Sequence, residues 1–203
     1  MFDTREKKER SVGTKLFLKG ARCLSPKCVM IRRPVRPGMH GKSRRSLSEI
    51  GEQLMEKQKI KYSYGIRESQ MQKIFSKATK HRGVTGDTIL QLLERRLDNV
   101  VFRLGLAPSR SVGRQLVNHG HIIVNGRKVT IPSFTVTIGD VIAIRSFSKD
   151  HPVFKDLANT LQKYEPPVWL NLNKEKLEGK VVSVPKDFDD LFDVNMVVDY
   201  YSR

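Results

Sequence analysis

Hydrophobic residues recur three and four positions apart in three segments of the chain, and this spacing predicts three helices. They cover residues 47–64, about 68–80 and 87–104, and the third is apolar enough to form part of a core. The expected N-caps are Ser46 or Ser48 for the first helix and Asp87 for the third. The apolar positions of the first helix are Leu47, Ile50, Leu54 and Ile60.

Later in the chain the pattern changes from helical spacing to short runs of β-branched residues. A short helix is predicted over 110–119, with Ser109 as its N-cap and Gly120 at its end. Asn125-Gly126 between β-branched residues predicts a hairpin, because a type I′ turn needs positive φ at both central positions. Further strands are expected at 134–136 and 141–145. This part of the chain therefore predicts a helix pair followed by a small, mostly antiparallel sheet.

The charge of the chain indicates a polyanionic partner. There are 38 Lys and Arg against 21 Asp and Glu, a formal net charge of +17. The excess lies in residues 1–150, whereas residues 151–203 hold 7 basic and 9 acidic residues. Such an excess opposes compaction by self-repulsion, and nucleic acid offsets it best, because each neutralised phosphate releases counterions. No apolar run approaches the ~20 residues that span a bilayer, and the N-terminus shows no secretory signal, so no membrane partner is expected.

The two ends of the chain are less regular than its middle. Residues 1–46 are basic, contain several Gly and Pro, and lack any period. They are predicted to form an extended arm that becomes ordered on RNA, with a disordered basic tail as the alternative. In 151–203 we expect a helix near 153–164 and then short strand-like pieces, with Trp169 packed in the core.

One face of the predicted short helix carries basic and polar residues at every fourth position: Arg110, Arg114 and Asn118. Arginine suits phosphate because its planar guanidinium donates two parallel hydrogen bonds. Arg127 and Lys128 leave the hairpin turn and extend this surface. A helix-turn-helix DNA-binding protein is the alternative, but it needs a recognition helix in a major groove, normally within a dimer. A helix leading directly into a hairpin favours recognition of folded RNA by shape and phosphate contacts.

No catalytic residues are predicted. The histidines at 81, 119, 121 and 151 are scattered, and no phosphate-binding loop, nucleophile elbow or zinc-protease motif is present. Asp98 follows a buried helix position and is expected to pair with a nearby arginine rather than to act as a base. The sequence therefore indicates a binding protein and not an enzyme.

Several short segments follow one another in the order found in a known family. They are Pro37-Gly38-Met39-His40-Gly41, Glu56–Lys59, Tyr64-Gly65, Gly83–Gly86, Leu93–Gly105, Ser109-Arg110, Arg114–Ile122, Val124–Gly126 and Tyr200–Arg203. Together they resemble the bacterial-type ribosomal small-subunit protein four family over nearly the whole chain. Met39 departs from the pattern, since the family has glutamine there.

The resemblance implies an α+β fold. A mainly helical domain is interrupted by a small αL-type RNA-binding domain, which has two helices and a small antiparallel sheet. The implied ranges are a basic N-terminal arm with two cysteines over 1–46, the helical domain over 47–94 and 151–203, and the αL-type domain over 95–150.

The resemblance also implies a structural, non-enzymatic role in the small ribosomal subunit. Members bind small-subunit rRNA directly at a multi-helix junction in its 5′ domain and support early assembly. They lie beside small-subunit proteins three and five, near the point where mRNA enters, and affect decoding accuracy. A cytoplasmic ribosome is the expected location, and no homo-oligomer is expected. The alternative is a free-standing RNA-binding module, such as an RNA-modifying enzyme that carries the same small domain, but the flanks here lack a catalytic motif.

The expected RNA contacts fall into three groups. Those of the αL-type domain are Arg95, Arg96, Arg110, Arg114, Asn118, His119, Asn125, Arg127 and Lys128. Those of the arm are Arg32, Arg33, Arg36, His40, Lys42, Arg44 and Arg45. Those of the helical domain are Lys57, Lys59, Lys61, Tyr64 and Lys73.

Cys23 and Cys28 are the two cysteines of the chain. Some members of the family bind zinc through these positions and two further cysteines upstream, where the same spacing reaches Glu6 and Glu9 here. Structural zinc normally has four Cys or His ligands, and His40 is the one further candidate. Two free thiols without a cofactor are therefore favoured over a zinc site.

Overall fold

The computed structural model describes residues 4–43, 46–81, 83–148, 154, 157–162, 164–186, 188 and 191–202. Its packing divides into two compact units, Met1–Ile89 with Asp189–Arg203, and Leu90–Phe188. The sequence-based division placed the segment after 150 with the helical domain, whereas most of that segment packs in the second unit. No described helix combines the length and the apolar character that a membrane span requires.

The first unit begins with three helices, α1 (Thr4–Val12), α2 (Ala21–Leu24) and α3 (Val29–Arg32). The extended arm predicted for 1–46 is therefore wrong for this part of the chain. The prediction failed because several apolar side chains in this segment become buried although their spacing follows no helical period. They are Val12, Leu16, Cys23 and Cys28. Helix α1 also packs against α3. Residues 33–43 and 46–48, which include the prolines and glycines, contain no helix or strand.

Two longer helices follow, α4 (Glu49–Ser63) and α5 (Glu68–Ala78). The predicted cap Ser48 is confirmed, since its Oγ accepts a hydrogen bond from the Gly51 amide. The predicted apolar face of α4 is largely wrong: Ile60 is buried, but Leu47, Ile50 and Leu54 are exposed. The buried face instead carries Gln53, Lys57, Ile60 and Ser63.

The helix that covers the buried face of α4 lies far along the chain. It is α10 (Val194–Ser202), the last helix of the first unit, which packs along α4. Its Val197 is fully buried. The sequence indicated only strand-like pieces here, because valine and tyrosine favour strands when nothing else is known.

The segment 87–104, predicted to be one helix, forms two helices, α6 (Thr85–Glu94) and α7 (Leu97–Arg103). The boundary between the two units falls within α6. Asp87 lies inside α6 and is not its cap. The chain turns at Arg96, whose backbone is extended, with φ −70° and ψ 137°. There the Leu97 amide donates to the Phe134 carbonyl (2.9 Å) and the Val136 amide donates to the Arg95 carbonyl (2.9 Å). The strand predicted at 134–136 is reduced to this one bridge.

The rest of the second unit combines α8 (Arg110–Asn118) and α9 (Leu157–Gln162) with one five-stranded antiparallel sheet. Its strands are β1 (Ile122–Val124), β2 (Arg127–Lys128), β3 (Val141–Ile144), β4 (Leu170–Asn173) and β5 (Glu178–Val181), in the order β2-β1-β3-β5-β4. The predicted hairpin is confirmed, with φ of 49° at Asn125 and 77° at Gly126. Strands β4 and β5 come from the acidic segment and complete the sheet beside β3.

The core of the second unit lies between these helices and the sheet. Its fully buried members include Leu97, Val100, Leu104, Val117, Ile122, Ile142 and Leu161. Trp169 is buried among them, as predicted. Gly179 of β5 lies directly beneath Leu104, where a Cβ atom would overlap the leucine side chain. The end of α7 therefore packs closely on the sheet, and α8 packs against α7.

Candidate nucleic-acid interface

A buried aspartate joins two of the predicted RNA-binding arginines. Asp98 accepts hydrogen bonds from Arg96 Nε (3.1 Å) and Nη2 (2.9 Å), and from Arg114 Nε (3.0 Å) and Nη2 (2.6 Å). The predicted pairing of Asp98 with a nearby arginine is thus confirmed. Arg96 was expected on the RNA face of this domain, but it is itself buried in this structure. Arg114 keeps about a third of its side chain exposed, at 31%.

A second buried carboxylate, Glu94, organises the neighbouring arginines. It accepts hydrogen bonds from Arg103 Nε and Nη2, both at 3.0 Å, and from Asn99 Nδ2 at 2.8 Å. Asn99 in turn accepts from Arg110 Nε at 2.7 Å. The Arg110 guanidinium also lies 4.9 Å from the centre of the Phe102 ring. The two carboxylates therefore bond three arginines directly, and Arg110 is held by Asn99 and by an ion pair with Glu94 at 4.0 Å. Four arginines around two carboxylates leave a local positive excess.

The close approach of α7 and α8 makes this network possible. Gly113 lies on α8, and a Cβ atom built there would come within 2.8 Å of the Asp98 carbonyl oxygen. Only glycine leaves room for this contact. The cap of α8 is Ser109, as predicted, and its Oγ accepts from the Val112 amide.

The hairpin end of the predicted surface is exposed. Asn118, His119, Arg127 and Lys128 all reach solvent, and Arg95 is half-buried with its Nε bonded to the Val136 carbonyl. Asn125, also predicted to contact RNA, bonds within the protein: its amide donates to Asp140 (2.8 Å) and its Oδ1 accepts from the Val141 amide. Burial raises the pKa of Asp140, but hydrogen bonds from Thr137 and Asn125 outweigh it and hold the pKa below its usual value.

The predicted residues of the helical domain divide into buried and accessible groups. Lys57 and Tyr64, both expected to contact RNA, are buried in this structure. Lys59 and Lys61 are half-buried and paired with Glu56 and Glu68. Lys73 is exposed on α5. Lys77 and Lys80 are exposed as well, and the helical spacing from Lys73 would have added them to the prediction.

Lys57 belongs to a cluster that anchors α10. Its Nζ lies 2.9 Å from Glu68 Oε1 and 4.2 Å from the centre of the Tyr200 ring. The Tyr201 hydroxyl donates to the same Glu68 oxygen at 2.6 Å. Burial raises the pKa of Glu68, but hydrogen bonds from Tyr201, Lys57 and Lys61 outweigh it and lower the pKa to about 2. Through these contacts the cluster joins α4, α5 and α10.

The described residues of the predicted N-terminal RNA contacts are mostly exposed. Arg32, Arg33, His40 and Lys42 reach solvent, and Arg36 is half-buried. The chain bends sharply around Gly41, where a Cβ atom would overlap the Arg36 carbonyl. Arg44 and Arg45 lie outside the described residues.

The two cysteines are buried and form no disulfide, and the Cys23 thiol donates to Glu9 Oε1 at 4.0 Å. Glu9 is buried, and its Oε1 accepts from the Leu16 and Leu18 amides at 3.2 and 3.1 Å. Glu6 pairs with Lys19. Burial is the main cause of a raised pKa at Cys23, which disfavours the thiolate that a metal needs. The described residues contain no group of three or more His, Cys, Asp or Glu side chains placed to bind a metal, so a zinc site fits them poorly.

Two family descriptions together match most of the chain. Residues 2–94 match the ribosomal protein S4/S9 N-terminal domain, and residues 95–142 match the S4 domain. The small ribosomal subunit protein uS4 of Halothermothrix orenii is 50% identical over 96% of this chain and 94% of its own length. The uS4 protein of Heliobacterium modesticaldum is 48% identical, and the uS4A protein of Alkaliphilus metalliredigens is 50% identical, over the same shares. The chain therefore belongs to the ribosomal protein S4 family, whose members are structural components and not enzymes.

Proposed function

We propose that this protein is a structural component of the small ribosomal subunit that binds rRNA through its S4 domain and the exposed basic side chains of its first unit. The observation that carries the proposal is the likeness of nearly the whole chain to small ribosomal subunit uS4 proteins, with the two domain models matched in order. The charge distribution agrees, because the whole positive excess lies in residues 1–150.

The arrangement of α7 and α8 suits recognition of phosphate. Arg114 and Arg110 are fixed by buried partners before any RNA arrives, so little side-chain entropy is lost on binding. The exposed part of Arg114 lies on the α8 face that also carries Asn118. The exposed side chains of Arg127 and Lys128 add positive charge beside this face of α8.

The finer role follows the family resemblance. The protein would bind directly to a multi-helix junction in the 5′ domain of small-subunit rRNA and hold its helices together during early assembly. In the finished particle it would lie beside small-subunit proteins three and five, near the point where mRNA enters, and affect decoding accuracy. A cytoplasmic ribosome would be its location.

Sucrose-gradient sedimentation tests the proposal. Tagged protein expressed in a bacterial host should sediment with small subunits after the gradient is run in physiological salt. Purified protein should also bind a transcript of the rRNA 5′ domain more tightly than an unrelated structured RNA of equal length. Recovery of the protein only in free fractions, together with equal affinity for the two RNAs, would contradict a ribosomal role.

A further inference from the structure

One end of the sheet in the second unit gathers side chains that the arginine network does not use. Because the strands are antiparallel, β1 begins where β2 and β3 end, with Ile122 paired to Ile144 and Ile123 paired to Lys128. The residues just outside these strand ends therefore lie close together. On this end the Lys128 side chain passes directly over Gly120, where a Cβ atom would overlap it. The His119 and His121 rings lie 6.0 Å apart, centre to centre.

A 3₁₀ turn, Ser146–Ser148, follows β3 at this end and presents a phenylalanine to solvent. Phe147 is 88% exposed, far more than the described aromatic residues that pack in either core. The turn that carries it is held in place. The Arg145 amide donates to the His121 carbonyl (2.8 Å), and the buried Ser148 Oγ lies 3.0 Å from His121 Nδ1. A large apolar ring is thus held at the surface by a fixed turn, and a partner that covers it would gain the free energy of burying its apolar area.

We propose that Phe147 is a stacking platform for an unpaired base of the bound RNA, with the exposed Arg145 and Lys128 contacting the neighbouring phosphates. Single-stranded loops and bulges in RNA are recognised by stacking of splayed bases on aromatic rings, supported by basic side chains along the backbone. The exposed groups around Phe147 fit this chemistry, since Arg145, Lys128 and His119 donate hydrogen bonds to anions. This inference rests on the proposed binding of rRNA.

Charge favours RNA over a protein partner at this surface. An apolar docking site for a protein has a core depleted in charged residues, with its charges at the rim. Here the exposed ring of Phe147 lies two residues after Arg145, and Lys128 lies at the same end of the sheet on β2, with β1 between β2 and β3. A base with its phosphates covers the ring and satisfies the cations at the same time.

The test compares single-site variants of the full chain in binding to the rRNA 5′-domain transcript at one fixed salt concentration. Phe147→Ala should weaken binding by about 5- to 150-fold, the range that removal of one stacked base produces. Phe147→Trp should bind within about threefold of the unaltered protein, and the new indole fluorescence should be quenched by the RNA. Phe147→Leu separates stacking from simple apolar contact and should weaken binding nearly as much as alanine. Ile138→Ala, another exposed apolar side chain, lies at the opposite end of the sheet and is the matched control.

The outcomes are distinct. If the unaltered protein binds the transcript and Phe147→Ala binds equally well, the stacking platform is wrong and the proposed function stands. If Phe147→Leu keeps full affinity, the ring does not stack. If Phe147→Ala binds RNA normally but no longer enters small subunits, the ring contacts a protein and the inference is overturned. If the unaltered protein shows no preference for the transcript, the proposed function fails and the inference fails with it.

Discussion

At the scale of single residues, the buried carboxylates determine what the arginines can do. Helical periodicity correctly placed Arg110, Arg114 and Asn118 on one side of α8. It could not show that Asp98 and Glu94 lie opposite them, because these acids belong to other helices and their distance is set by the fold. For the same reason the sequence did not separate exposed Arg127 from buried Arg96. Residue type predicted the chemistry, and tertiary packing decided which side chains are accessible.

Asp98→Asn tests this arrangement. The variant keeps the shape of the side chain but leaves two guanidinium groups without their counter-charge. We expect the free energy of unfolding to fall by about 3 kcal/mol, as for removal of one partner from a buried ion pair. Urea denaturation followed by circular dichroism measures it. The exposed Asp199→Asn is the matched control and should change stability by less than about 0.5 kcal/mol. An unaltered urea midpoint for Asp98→Asn would mean that the ion pairs of Asp98 contribute nothing to the free energy of unfolding.

Glu68 gives a pH dependence with a defined sign. Its pKa of about 2 lies below the ordinary value of 4.5, so folding favours the charged carboxylate. Its contribution is fully present above the ordinary pKa and is lost as the pH falls through about 2. At pH 7, Glu68→Gln should destabilise the protein by only about 1 kcal/mol, because the side chain is 37% exposed and solvent screens it. Thermal unfolding curves of the two proteins should converge as the pH is lowered towards 2, and a constant gap would contradict this account.

At the scale of secondary-structure elements, the sequence predicted those elements whose caps and periodicity agree. Helices α4, α5 and α8 and the β1–β2 hairpin lie within a few residues of their expected limits. Helix α10 was missed because its helical state depends on packing against α4. The break between α6 and α7 was missed for a related reason. Hydrogen bonds from 95–98 to the loop at 132–136 stop the helix, and no local signal shows that loop.

Val197→Ala tests whether packing on α4 is what stabilises α10. The side chain is fully buried, so its truncation should cost about 2 kcal/mol through lost burial and a residual cavity. Val198→Ala on the same helix makes the same chemical change at a half-buried position and should cost clearly less. Chemical denaturation of the two variants gives the comparison. An equal loss of unfolding free energy in the two variants would show that intrinsic helix propensity, and not packing on α4, determines the stability of α10.

The segment from α1 to α3 gives a prediction about metal. We expect the purified protein to contain much less than one zinc per chain and to unfold at the same temperature with and without a chelator, because Glu9 already bonds the Leu16 and Leu18 amides. Glu9→Ala should lower the melting temperature more than Glu6→Ala, whose carboxylate is less buried. Stoichiometric zinc by elemental analysis would reverse the expectation.

At the scale of the whole molecule, charge predicted the partner class better than it predicted the domain limits. The acidic segment after 150 was expected to contribute packing, and β4 and β5 do complete the sheet of the second unit. The pairing of β5 with β3 could not be predicted, because these two strands are about forty residues apart and neither has a distinctive pattern. The family resemblance supplied the fold class, but the contacts with RNA still depend on which basic groups stay free of internal partners.

Salt dependence of binding tests the surface as a whole. The affinity for the rRNA transcript should fall steeply with added salt. Replacing Arg127 and Lys128 together by alanine should lower the slope of log affinity against log salt by up to about two units, one for each lost phosphate contact, without changing stability. Replacing Lys176 and Lys180, two exposed lysines near the β4–β5 turn, is the matched control and should leave the slope unaltered. A slope that is the same in both double variants would place the hairpin away from RNA.

The packing of α10 on α4 has a consequence for the order of events during synthesis. The first unit is made from two stretches of chain separated by the entire second unit. When a translating ribosome has produced α4 and α5, the helix that will cover them does not yet exist, and Ile60 and Lys57 have no cover from that side. The second unit can close its sheet as soon as β5 has emerged, so it is expected to fold first. A nascent or truncated chain that lacks α10 is therefore expected to expose the face of α4 that α10 covers in the complete first unit.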